Sequence, residues 1–232
     1  STEATKIGHI TTSDLSFDGP GTSELNIYSN LLDETFSLNS IDLKYNNDAE
    51  NGVGKVADAI NKLSDQLGIS ATANVETSTE SNIAEGTTDS SFAINGVTIG
   101  ALSVKENDAD GALVSAINNK TSEHGVTASV NEEGVLTMQS TDNRAIQVTM
   151  GDATQAVMGG TEDMSTLGTV EVRQEGTSQI QISDAGSAGA AVATESGGME
   201  VDGISGTTEE MILADGSLIA ASSSLASGTV IN

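Results

Sequence analysis

The 232-residue chain repeats itself, and this repeat restricts the available folds more than any other feature. The first copy opens Phe36-Ser37-Leu38-Asn39-Ser40-Ile41-Asp42-Leu43, passes through a helical stretch ending Ala59-Ile60-Asn61, and resumes at Gly68-Ile69-Ser70-Ala71. The second reads Phe92-Ala93-Ile94-Asn95-Gly96-Val97-Thr98-Ile99, then Ala116-Ile117-Asn118, then Gly125-Val126-Thr127-Ala128. Phe36 and Phe92 are 56 residues apart, and Ile60 and Ile117 are 57 apart, so one inserted residue separates the copies.

Each copy is expected to begin with a tight hairpin. Asn-Gly between two short apolar runs is a strong turn signal, because both residues tolerate positive φ. A two-residue turn at Asn95-Gly96 places Ile94 opposite Val97 and Phe92 opposite Ile99, all on one face. The first copy predicts the same pairing around Asn39-Ser40, with Leu38 facing Ile41 and Phe36 facing Leu43, although Ser40 is a poorer turn residue than glycine. A helix should follow, since Val56, Ile60, Leu63 and Leu67 form one apolar stripe at helical period. Leu113, Val114 and Ile117 do the same in the second copy. Asp48 and Glu50, and Asp108 and Asp110, precede the two helices where acids suit the dipole. Gly68 and Gly125 are expected to end them. Alternating strands then return at Ile69–Val75 and Val126–Val130. The residues expected to carry this pattern are Asn39, Ile60, Asn61, Asn95, Gly96, Ile117 and Asn118.

The expected class is therefore α+β and β-rich: two hairpin–helix–strand repeats followed by a Gly/Ser-rich β subdomain. Three consecutive blocks are predicted. Residues 1–80 hold the first repeat with N-terminal strands, 81–165 the second repeat, and 166–232 a β-rich part that could pair with the N-terminal segment. Val170–Val172, Ile180–Ile182 and Met211–Leu213 read as its strands, with turns at Ser196-Gly197-Gly198 and Asp215-Gly216. Glu76–Asn82 reads as a polar connector.

Eight basic against 34 acidic residues give a net charge of −26. Such a surface repels nucleic acid and anionic lipid. Aromatic residues make up only 2% and tryptophan is absent, which disfavours stacking platforms for sugars or bases. The absence of cysteine excludes disulfides and thiolate chemistry. No apolar run is long enough to span a bilayer and no signal peptide opens the chain. Starting at Ser1, the chain reads as a fragment of something larger.

Catalytic patterns do not emerge. The two histidines, His9 and His124, belong to no His-Glu-x-x-His motif, and His124 is expected to serve the helix end beside Gly125. Glu106–Gly111 shares acidic spacing with a calcium loop, but Ile117 stands where the EF-hand acid belongs. Helix capping is the simpler account there; weak surface cation binding by this loop or by Asn46–Glu50 is the alternative. No nucleophile elbow or phosphate loop is present. No catalytic, cofactor-binding or metal residue is predicted.

The runs Phe92–Ile99, Val114–Asn118 and Gly125–Ser129 resemble the IN motif of flagellins and of flagellar filament-cap proteins. The Ile-Asn pair stands at Ile117-Asn118 and again at Ile60-Asn61. Asn107–Gly111 and Ser140–Ile146 are most similar to flagellins of the Helicobacter and Campylobacter group. The resemblance implies a domain displayed outside the cell on a flagellar filament, inserted between terminal helices that this chain lacks. Its partners would be other flagellin subunits. The chain alone would be a monomer without cofactor, and O-linked glycans on exposed Ser or Thr are a family trait with no acceptor singled out here. The alternatives are a filament-cap domain and a secreted adhesin or carbohydrate-binding module, with a hydrolase last.

Overall fold

The computed structural model describes residues 10–17, 19–175, 180–188, 190–197 and 211–213. The fold is β-rich with short helices, consistent with an α+β class. The chain forms two compact units assembled from separated stretches. The first takes residues 1–42, 56–73 and 169–232; the second takes 43–55 and 74–168. The physical reason lies in strand pairing across long sequence distances.

In the first unit, strand Ile10–Phe17 lies between Thr169–Glu175 and Ala190–Gly197, antiparallel to both, and Ile69–Asn74 completes the sheet beyond Thr169–Glu175. Alternation in Thr169–Glu175 buries Val170, Val172 and Gln174. A second sheet orders Met211–Leu213, Ile180–Asp184, Leu25–Ser29 and Glu34–Ser37. Its inner face is built from Leu25, Ile27, Ile180 and Ile182, each buried. The N-terminal segment thus pairs with strands more than 150 residues downstream. Ser196 and Gly197, expected in a turn, instead end a strand, with Gly197 opposite Ile10. Gly198, the Asp215-Gly216 turn and His9 lie outside the described residues.

The second unit holds the sheets around the second repeat. Val97–Thr98, Ala93–Ile94 and Val148–Thr149 form one; Val126–Val130, Leu136–Ser140 and Glu76–Ser78 form another. The expected polar connector is therefore partly an edge strand, with Thr77 opposite Met138. Its polar, threonine-containing sequence suits a strand with one open edge. Helix Ala112–Asn118 packs on Val126–Val130. Phe92, Ile94, Leu113, Ile117, Leu136, Met138 and Ile146 are fully buried, a core with one aromatic ring among aliphatic side chains. Each such aliphatic contributes about 1.5–3 kcal/mol.

Both predicted helices are broken at the same place. The first copy has Val53–Asn61 and Ser64–Leu67; the second has Ala112–Asn118 and Thr121–His124. Each longer segment ends on asparagine, a poor helix former whose side chain competes for backbone groups. Gly68 and Gly125 then adopt left-handed backbone with φ of 64° and 72°. Apart from Asn and Asp, few side chains with a Cβ take up that conformation readily, and glycine, with none, ends both segments.

Candidate functional site

The most distinctive local chemistry is a clip from the end of each longer helix to the returning strand. In the second copy Asn118 Nδ2 donates to the Ala128 carbonyl at 2.9 Å, and Ala128 N–H donates to Asn118 Oδ1 at 2.7 Å. In the first, Asn61 Nδ2 donates to Ala71 O at 2.8 Å and receives Ala71 N–H on Oδ1 at 2.7 Å. Only a primary amide offers a donor and an acceptor in this arrangement; Asp would lose the donor and Leu both. Ile60 and Ile117, one residue before each clip, have no exposed surface. The Ile-Asn pair thus anchors one side chain in the core and ties the next to a backbone. The shared ten-residue spacing from Asn to Ala was readable in the sequence, although its meaning was not.

The Asn95-Gly96 turn has φ of 49° and 76°, and Val97 pairs with Ile94 as expected. Ile99 N–H reaches Phe92 O at 2.8 Å, which continues the predicted register. Asn95 does more than turn the chain. It is buried, its Nδ2 donates to His124 O at 2.8 Å, and its Oδ1 accepts Gln147 N–H at 2.8 Å. Asn39 is placed differently. Phe36 pairs with Ile27 in the second sheet of the first unit, while Ile41–Leu43 pairs with Gly21–Ser23, so no hairpin joins 36–38 to 41–43. Neither Asn39 nor Ser40 has positive φ. Without glycine the two-residue turn is unfavourable, and Leu25–Ser29 supplies a competing partner. Asn39 instead borders a crevice with Leu38, Ile41, Val56 and Ala59 that leaves no room for water.

The acidic loop before the second helix is committed to that helix. Asp108 is buried, and its carboxylate accepts Leu113 N–H at 2.8 Å and Val114 N–H at 3.0 Å. Asp48 accepts Glu50 N–H at 3.0 Å in the corresponding loop. Asp89 accepts both the amide and hydroxyl of Thr154 at 2.9 Å, bonds that hold its carboxyl below the usual range.

Arg144 ties three segments of the second unit. Its Nε and Nη2 donate to Asp142 at 2.9 and 2.6 Å, and its Nη1 donates to Asn47 Oδ1 at 2.9 Å. Asn47 Nδ2 in turn donates to Glu123 O at 2.9 Å. The guanidinium holds the Asp142 carboxyl below its ordinary range.

His124 is fully buried at the helix end, a structural side chain and not a solvent-facing one. Burial pushes its pKa down, with Arg144 and Lys120 acting in the same direction, against the Ile117 carbonyl and Glu123. No sequence motif marks this, yet the matching position before Gly68 is the buried Leu67.

Among the described residues no cluster of His, Cys, Asp and Glu is arranged to hold a metal, and no helix is long and apolar enough to cross a membrane. An open trough of about 320 Å³ on the second sheet of the first unit is lined by Asn26, Tyr28, Thr35, Gln181 and Ser183. Tyr28 there donates its hydroxyl to Asp33 at 2.7 Å, which raises its pKa.

Residues 91–142, containing the Asn95-Gly96 hairpin and the Asn118 clip, match the flagellin hook IN motif. The chain is 33% identical over 170 residues to flagellin B of Helicobacter pylori, covering 69% of this chain and 33% of that protein. It is 42% identical over 113 residues to flagellin A of Helicobacter felis, covering 48% of this chain and 21% of that protein. Flagellin A of Helicobacter mustelae is 42% identical over 114 residues, 49% of this chain and 23% of that protein. The chain spans about a third or less of the length of these relatives. With the hairpin and the clip lying inside the matched segment, the chain belongs to the flagellin family, and Helicobacter flagellins are among its relatives.

Proposed function

We propose that this chain is a non-catalytic, outward-displayed part of a flagellar filament subunit, lying outside the cell among other flagellin subunits. The observation that carries the reading is the flagellin relationship, which extends over 170 residues and includes the IN motif. Its role is mechanical and electrostatic. Short hydrogen-bonded strands and clipped helices give stiff modules, and a net charge of −26 keeps crowded copies apart.

We also read the first copy as a second IN-type repeat. The geometry of the Asn61–Ala71 clip supports this, because it reproduces the Asn118–Ala128 clip bond for bond. On this reading the chain alone stays monomeric, and its exposed Ser and Thr residues are open to O-linked glycans.

Immunogold labelling tests the proposal. An antibody raised against this chain should decorate filaments of the bacterium that makes it along their whole length. Label confined to the filament tip would move the assignment to a cap protein, and label elsewhere on the cell surface would move it to an adhesin.

A further inference from the structure

We propose that His124 is an acid-sensitive latch of the second repeat: one proton on its ring uncouples the helix end from the returning strand. The first repeat carries Leu67 in the same place and stays closed. The inference rests on geometry within the second unit and does not depend on where the protein is displayed.

The ring is held by two backbone groups. Val126 N–H lies 3.0 Å from Nδ1, and Nε2 lies 2.9 Å from Ile117 O. A backbone amide can only donate, so Nδ1 presents its lone pair; the hydrogen therefore sits on Nε2 and is donated to Ile117 O. The neutral tautomer bridges the last residues of helix Ala112–Asn118 to the first residue of strand Val126–Val130. A second proton has only Nδ1 to occupy, where it meets the Val126 N–H head-on. The bond becomes a repulsion, and the new Nδ1–H of a buried cation is left without an acceptor.

The surroundings do not rescue the cation. Lys120 and Glu123 flank the ring on its own helical stretch, and Arg144 approaches from the turn after Leu136–Ser140. Arg144 is itself tied to Asp142 and lies near Asp48. Helix Ala112–Asn118, strand Val126–Val130 and the Ala93–Thr98 hairpin bring no charged side chain. Opening therefore disturbs a cluster, because Asn95 Nδ2 holds the His124 carbonyl and Asn47 holds that of Glu123.

The sign follows from the depressed pKa. The opened state takes up a proton near the ordinary value of 6.5, and the closed state does so only at lower pH. The stabilisation is complete above 6.5 and is lost as pH falls from there toward the closed-state value. With one proton linked to opening, the loss is about tenfold in the equilibrium constant per pH unit within that window.

The experiment follows ring nitrogen shifts and amide exchange by NMR on the intact chain between pH 7.5 and 5.0. His9→Gln leaves one histidine signal, since the chain has only two histidines. The expected result is an Nε2-protonated neutral ring at pH 7.5. Protection of the Val126 and Ala128 amides should fall about tenfold per pH unit below 6.5, while that of Ala71 holds. His124→Gln and His124→Asn, which keep a polar group but cannot titrate, should abolish that slope. An Ala128 profile as flat as that of Ala71 would overturn the proposal, as would a slope that survives in the variants. If neither variant folds, the wild-type tautomer and the contrast between Ala128 and Ala71 decide alone.

Discussion

Asn39-Ser40 and Asn95-Gly96 occupy equivalent places in the two copies and do different things. The second closes a two-residue hairpin and buries its asparagine, whereas the first lies between strands that pair with other partners. Further along, the copies converge: both longer helices end on asparagine, both asparagines grip an alanine ten residues on, and both glycines turn left-handed. The difference shows which half of the unit is self-sufficient. Helix end, clip and strand start lie within a dozen residues of one another and the clip itself needs no distant partner, although Ile69–Asn74 still pairs with Thr169–Glu175. The hairpin depends on one glycine and on which strands compete for its arms.

The largest effects should come from the shared core positions. Ile117→Asp and Ile60→Asp each place a carboxylate where no surface is exposed, costing about 4 kcal/mol or more. Each should abolish the cooperative thermal transition of its own unit. Retained melting in either would show that its Ile-Asn pair is not the anchor described.

Next come the clips. Asn118→Ala and Asn61→Ala each remove two hydrogen bonds and should lower stability by about 2 kcal/mol, read as a shift in urea midpoint. The two losses should agree within about 0.5 kcal/mol if the clips are equivalent. A neutral Asn61→Ala would dissolve the equivalence.

The glycines then separate the copies. A Cβ on Gly68 would meet only Glu175 O at 3.2 Å, whereas one on Gly125 would fall 2.5 Å from the Arg144 Nε. Gly68→Ala should cost about 1 kcal/mol from its positive φ, and Gly125→Ala about twice that as the guanidinium is displaced. Denaturant melts of the two variants would show equal costs if Arg144 moves freely.

The smallest effect is expected at the failed hairpin. Ser40→Gly repairs the turn signal but has no hairpin to stabilise, so stability should change by less than about 0.5 kcal/mol. A gain near 1 kcal/mol would mean that the arms do pair in solution.

What could be read from the sequence follows the same division. The helical stripe, the terminal glycines, the Asn95-Gly96 turn and the return strands were legible because each carries its signal in near neighbours. The partner of Phe36 was not, since Leu25–Ser29 wins that pairing by offering an apolar face that no local pattern reveals. Glu76–Ser78 was hidden because an edge strand needs no alternating apolar residues. At the site, Ile60, Asn61, Ile117 and Asn118 stood out as a recurring pair, but not the backbone groups they hold. The burial of His124 left one trace, its alignment with Leu67.

The clips grip peptide groups and not side chains. Ser70, Thr72, Thr127 and Ser129, which flank the gripped alanines, all face solvent. Their identities are thus decoupled from strand register, and lineages can rewrite that face by point substitution while the scaffold beneath keeps its alignment.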